Sequence, residues 1–194
     1  MSTDPQPKSK SYLPYLLSLL VALAMTAILH LQARVWWCKL GDWAVYISEA
    51  WNSSHTSQHL LDPYAFTHVL HGVALFWLTS LLAERISIGW RFLIAVIAEA
   101  AWEIFENSTF VIEKYRANTA SLDYFGDSIA NSIGDLAACS IGFWIAAKLG
   151  WGRAIIFFVL VEIGLLIWIR DGLLLNILML IYPLDAIKAW QGGG

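Results

Sequence analysis

Residues 123–147 read DYFGDSIANSIGDLAACSIGFWIAA. The run is long enough to cross a bilayer as a helix, which takes about 20 mainly apolar residues. Yet Asp123, Asp127, Asn131 and Asp135 recur at every fourth position, which is one face of a helix. A polar stripe on a membrane helix must face protein or water, because lipid offers it no hydrogen-bond partners. This segment therefore predicts a bundle of helices around a polar interior rather than a lone anchor.

The rest of the chain fits that reading. Of its 194 residues 58% are apolar and only 14% charged, against about a quarter charged in soluble domains. The eleven Trp and seven Tyr suit membrane–water interfaces. No basic stripe or tail suggests nucleic acid. Cys38 and Cys139 form neither a CxxC pair nor a disulfide framework, and read as small inert side chains.

The expected fold class is an all-α integral membrane bundle, one domain over 12–191 behind a polar, disordered tail (1–11). Spans are expected at about 12–31, 64–82, 89–112, 123–147 and 151–169. Residues 33–62 form a tryptophan-rich interfacial segment, with a surface helix expected around Asp42–Trp51. The run 173–184 is too short to cross and is expected to be re-entrant or interfacial; a sixth span is the alternative. Lys8, Lys10, Arg85, Arg91, Lys148 and Arg153 fall on one side and Arg34, Lys39, Lys114, Arg116, Arg170 and Lys188 on the other. That tie leaves orientation to the lysine pair before the first span, which favours a cytoplasmic N-terminus.

Ionisable groups inside spans are costly and are functional by default. His68 and His71 share a face of the second span, and Glu99, Glu103 and Glu106 a face of the third, with Asn107 beside them. Counting ~1.5 Å per residue from the surface these helices share puts the histidines, Asp127, Asn131, Asp135, the three glutamates and Glu162 at roughly 6–21 Å depth. The matching depths predict one polar cleft, open to one side and roofed by 33–62.

Imidazoles with carboxylates suit Zn²⁺ or another divalent metal, with His68, His71, Glu103 and Asp127 as the expected ligands. Such a metal would also let several carboxylates be buried together. In a catalytic reading, His68 and His71 are ligands or a general base. Glu103, Glu106, Asp127 and Asp135 are ligands or acid/base groups, and Asn131 orients substrate. Arg116 and Arg170, with Asp123, would bind a headgroup at the rim. His71 is expected to meet Glu103, Glu106 or Asp127. The competing structural reading is an interhelical polar network that only holds the bundle together. His30, His55 and His59 read as interfacial or loop histidines, with a place at the rim of the cleft as the alternative for His59, and Gly126, Gly134 and Gly142 as close-packing positions.

The blocks HLLDPYAFTHVLHG (59–72), EAAWEIFENS (99–108), YRANTASLDYFGDSIANSIGD (115–135) and IRDGLLLNILMLIYPLDAIKAWQ (169–191) resemble an uncharacterised family of bacterial multi-pass membrane proteins. It is known as domain of unknown function 2585, or uncharacterised protein family 0314. The resemblance implies a bacterial inner-membrane location and no known activity. Asp127, Asn131 and Gly134 are also similar to the D-x3-N-x2-G pattern of VanZ-like membrane proteins, which points to envelope or lipid-linked substrates. The expected partners are membrane lipid and an amphiphilic small molecule. An enzyme or binding protein, a non-enzymatic scaffold or assembly factor, and an ion or proton pathway all remain open. The pathway ranks last because the far half of the bundle is apolar.

Overall fold

The computed structural model describes residues 11–50, 53–119 and 124–193. The expected tail, apart from Ser11, and Asp123 lie outside them. Among the described residues there are seven helices and no strand: α1 (Leu13–Leu31), α2 (Ala65–Ser80), α3 (Ile88–Glu106), α4 (Thr109–Asn118), α5 (Ile129–Ile169), α6 (Leu173–Ile181) and α7 (Asp185–Gln191). Two of them, α1 and α5, are long and apolar enough to cross a membrane.

The 41 residues of α5 are broken at Gly150, whose φ of 72° is left-handed, a conformation that costs glycine little. The break reverses the chain. On the first arm Gly134 lies against Leu60 and Phe143 against Phe76. On the second arm Phe158 meets Trp77 and Trp168 meets Phe66. The arms therefore run in opposite directions along α2. Helix α3 is antiparallel to α2, since His68 meets Glu103 and Phe76 meets Arg91. Helix α1 runs parallel to α3, from Tyr15 beside Phe92 to Gln32 bonded to the Ile104 carbonyl.

Small residues set the α2–α5 spacing. A Cβ on Gly72 would collide with the Cys139 carbonyl, and one on Gly142 with the Val69 carbonyl. Aromatic and aliphatic packing of Val73, Phe76, Ala95, Phe143, Ala146 and Ala154 fills the end away from the polar groups. The outside is apolar: Leu16, Leu19, Leu20, Leu23, Ile156, Leu160 and Ile167 are exposed.

Several boundaries differ from expectation. Helix α3 ends at Glu106 rather than 112, and α4 starts afresh behind Ser108, whose side chain accepts from the Val111 amide. Helix α5 begins at Ile129, not 123. Gly126 (φ 82°) turns the chain out of helix, and Arg34 holds that turn by donating to the carbonyls of Phe125 and Asp127. No helix forms over 42–50. There Asp42 accepts from the Ala44 amide and Tyr46 pairs with Leu61.

Residues 33–62 instead cap the start of α5. The amides of Ser128, Ile129 and Ala130 donate to the carbonyls of Ser57, Val35 and Trp36, supplying partners that a helix N-terminus otherwise lacks. Helix α6 does not lead away from the bundle: Arg170, before it, donates to the Trp190 carbonyl after it, at 3.0 Å.

Candidate functional site

Helix α2 brings His68 and His71 to one face, and the end of α3 brings Glu99 against both. His68 Nδ1 donates to Glu99 Oε1 at 2.6 Å and His71 Nδ1 to the same carboxylate at 3.0 Å. Each ring so fixed keeps Nε2 as its basic position. On His68 that atom lies 3.8 Å from Asp135 Oδ2, on the first arm of α5. Glu103 Oε1 is 3.3 Å from His68 Nδ1 without hydrogen-bond geometry, because that nitrogen's single proton is directed at Glu99.

Three groups each bring ligand atoms within 4.8 Å of one another: His68, His71 and Glu99; His68, Glu103 and Asp135; Glu103, Glu106 and Asp127. His68 and Glu103 are shared, so the groups form one continuous cluster. Glu99, Glu103, Asp127 and Asp135 are all buried. Among the described residues Glu103 Oε2, Glu106 Oε2 and Asp135 Oδ1 have no hydrogen-bond partner, although buried polar atoms are ordinarily satisfied.

Beside the cluster lies a cavity of about 70 Å³, room for a few waters or a hydrated ion at about 10–15 Å³ each. Its walls are Thr67, His68 and His71 of α2, Trp102 and Glu106 of α3, Tyr115 of α4, and Asp127 and Asp135. Thr56 and Ser57 from the capping segment, Asn176, Ile177 and Leu180 of α6, and Tyr64, Thr119, Tyr124 and Leu173 also line it. No lysine or arginine is among these lining residues.

Asp127 stands in the loop before α5, so the four-residue period ran across a turn. It is held there by Asn107, which donates through Nδ2 at 2.9 Å and accepts from the Asp127 amide at 2.7 Å. Tyr124 donates to its other oxygen at 2.9 Å. Asp62 closes the turn before α2 by accepting from the amides of Ser57 and Tyr64. Burial, its largest influence, pushes its carboxyl up to about 6 against these two hydrogen bonds. Burial likewise raises Asp171 to about 6, where Tyr64 donates to it at 3.2 Å.

Of the residues expected at the site, His68, His71, Glu103, Glu106, Asp127 and Asp135 come together. Asn131 does not line the cavity; it donates to the His59 carbonyl at 2.9 Å and anchors the cap. His71 bonds to Glu99 rather than to Glu103, Glu106 or Asp127. Neither Arg116 nor Arg170 lines the cavity: Arg116 donates to the carbonyl of Tyr124, a lining residue, and Arg170 to that of Trp190. Glu162 accepts from the Leu173 and Leu174 amides and caps α6 rather than joining the cluster. The Glu99–Glu103–Glu106 face contained the signal for Glu99, but its role as the hub between two imidazoles needed the crossing of α2 and α3.

The model for a protein of unknown function, DUF2585, matches residues 29–193. A UPF0314 protein of Brucella anthropi is 41% identical over the full length of both chains. One of Rhizobium meliloti is 44% identical over 92% of this chain and 91% of its own. One of Paracoccus denitrificans is 43% identical over 92% of each. No solved structure matches the chain.

Proposed function

The chain belongs to the DUF2585 (UPF0314) family, and from that premise we propose that it is a multi-pass bacterial inner-membrane protein with a metal-dependent site for the headgroup of an amphiphilic envelope molecule. The observation that carries the reading is the continuous cluster His68, His71, Glu99, Glu103, Glu106, Asp127 and Asp135 beside a cavity with no lysine or arginine among its described lining residues. So many carboxylates in one small space repel each other and any anionic headgroup. A divalent cation reverses both effects, and the imidazole–carboxylate donor set suits one.

In this reading α1, α2, α3 and the two arms of α5 are the five crossings. Their directions alternate, their outer surface is apolar and their ionisable groups face inward, as a lipid solvent demands. The cluster then sits toward one membrane face, under the 33–62 cap. Glu99 is a positioning residue: it fixes both imidazoles with Nε2 free. His68 Nε2 and Asp135 are ligand positions. His71 is placed to bind metal or to take a proton from a bound water, so an ester or phosphoester headgroup fits the site.

Metal analysis of the full chain purified in detergent tests this, with His68→Ala and His71→Ala beside it. One equivalent of divalent metal lost in both variants is the expected result. A wild-type protein that takes up no metal at this cluster overturns the proposal and returns the groups to a structural network.

A further inference from the structure

Outside the cleft, the capping segment carries a second cluster: Cys38, His55 and His59, whose ligand atoms also lie within 4.8 Å of one another. We propose that these three side chains form a separate zinc-type site that clips the cap together. The geometry makes the case. Cys38 Sγ is 3.5 Å from His55 Nδ1, and His55 Nδ1 is 3.2 Å from His59 Nε2. Bonds of about 2.3 Å to sulfur and 2.0–2.1 Å to nitrogen, set tetrahedrally, require roughly 3.5 Å between sulfur and nitrogen and 3.3 Å between nitrogens. Both observed separations fall at those edges.

Hydrogen bonding prepares the donors. His59 is fully buried and its Nδ1 donates to the Ala44 carbonyl at 2.6 Å. A carbonyl can only accept, so that bond fixes the tautomer and leaves the Nε2 lone pair facing His55 and Cys38. Such an outer partner is the usual support of a metal-bound imidazole. Asp42 stands outside this group of three, its Oδ1 accepting from the Ala44 amide and its Oδ2 3.9 Å from His55 Nδ1, so the fourth tetrahedral position is left to a water or to a small shift of this carboxylate. Trp37 packs edge-on to His59 and stacks on Trp43, shielding the buried side. Binding takes the thiolate of Cys38 and releases its proton.

The site is independent of the cleft in its ligands but joined to it through the cap. The His59 carbonyl holds Asn131, the Ser57 carbonyl holds the Ser128 amide, and Gln58 donates to the Gly126 carbonyl. A metal fixing His55 and His59 against Cys38 thereby steadies the turn that carries Asp127.

Cobalt titration of the purified, chelator-stripped full chain in detergent separates the two sites, since only this one has a thiolate ligand. A thiolate-to-cobalt charge-transfer absorption saturating at one equivalent is expected in the wild type. It should persist in His71→Ala and in Cys139→Ser, vanish in Cys38→Ser, and need at least tenfold more cobalt in His59→Gln. On the wild-type protein, which needs no substitution to fold, zinc should slow alkylation of Cys38 at least tenfold. No thiolate band in the wild type, or a band lost with Cys139 and kept without Cys38, overturns the site. Loss of cleft metal in His71→Ala with the cobalt–thiolate band intact would bear on the function proposed above and leave this site standing.

Discussion

Glu99 accepts from two imidazoles at once, and that single carboxylate decides which nitrogen each ring offers. Glu99→Gln keeps the size and one acceptor oxygen but loses the charge and one acceptor. Removal of an orienting partner of this kind costs about 10–100-fold in metal affinity. That loss is expected in a competition titration against a chromophoric chelator; an unchanged affinity would assign Glu99 a packing role. Asp62 makes a pH prediction. Its carboxyl rises from an ordinary 3.8 to about 6 through burial, with Asp127 raising it further and His68 opposing. The folded chain therefore holds this proton more tightly than the unfolded chain, so the stabilisation is full below the ordinary value and is lost as pH rises through 6. The shift corresponds to about 3 kcal/mol at 1.36 kcal/mol per pH unit. Thermal midpoints in detergent should fall between about pH 4 and pH 6.5, and Asp62→Asn should flatten the fall. A midpoint that climbs over this range in the wild type and is unaffected by the substitution would contradict it.

At the scale of elements, helix periodicity told which side chains share a face, and direction reversal told which ends meet. Those two rules were enough to bring His68, His71, the glutamates and Asp135 together. They also brought Asp127 there, but on a helix; that it stands in a loop was not legible, because the left-handed Gly126 and the grip of Arg34 on the neighbouring carbonyls are local chain geometry that a four-residue period does not encode. The capping segment was less legible still. Its order comes from contacts distant in sequence, such as Gln58 with Gly126 and Asn131 with His59, and its histidines looked unremarkable one at a time. Gly134 and Gly142 were readable as close-packing positions, whereas Gly72, facing the Cys139 carbonyl, was not singled out. A methyl group there has nowhere to go. Gly72→Ala should lower stability by about 1–3 kcal/mol, as overpacking does. Gly164→Ala meets nothing within 4 Å on the second arm of α5 and should be neutral or stabilise by about 0.5–1 kcal/mol through helix propensity. Equal melting shifts for the two variants would remove the close-approach argument.

Along α1 and the second arm of α5 large apolar side chains are exposed, while Glu99, Glu103, Asp135 and Glu162 on the long helices are buried, and the order of the helices accounts for that arrangement if each of five segments crosses in turn. Helix α6 is the test of the count. Its nine residues reach only about 14 Å at 1.5 Å per residue, less than half of a ~30 Å hydrocarbon layer. Its two ends are tied to one level: Arg170 bonds the Trp190 carbonyl, and Lys188 of α7 donates to the Ala117 carbonyl of α4 at 2.6 Å. Both contacts require the end of the chain to stay on the side where α4 lies and where the cap covers the cavity. Single cysteines introduced at exposed Gln32, Glu113 and Asp185, in a Cys38→Ser, Cys139→Ser background, should react with a membrane-impermeant maleimide from one side of intact cells or inverted vesicles. Cysteines at Glu84 and Arg153 should react only from the other. Asp185 labelling together with Glu84 and Arg153 would put α6 across the membrane, raise the count to six and take its cavity-lining residues Asn176, Ile177 and Leu180 away from the cluster, leaving the site open where this fold closes it.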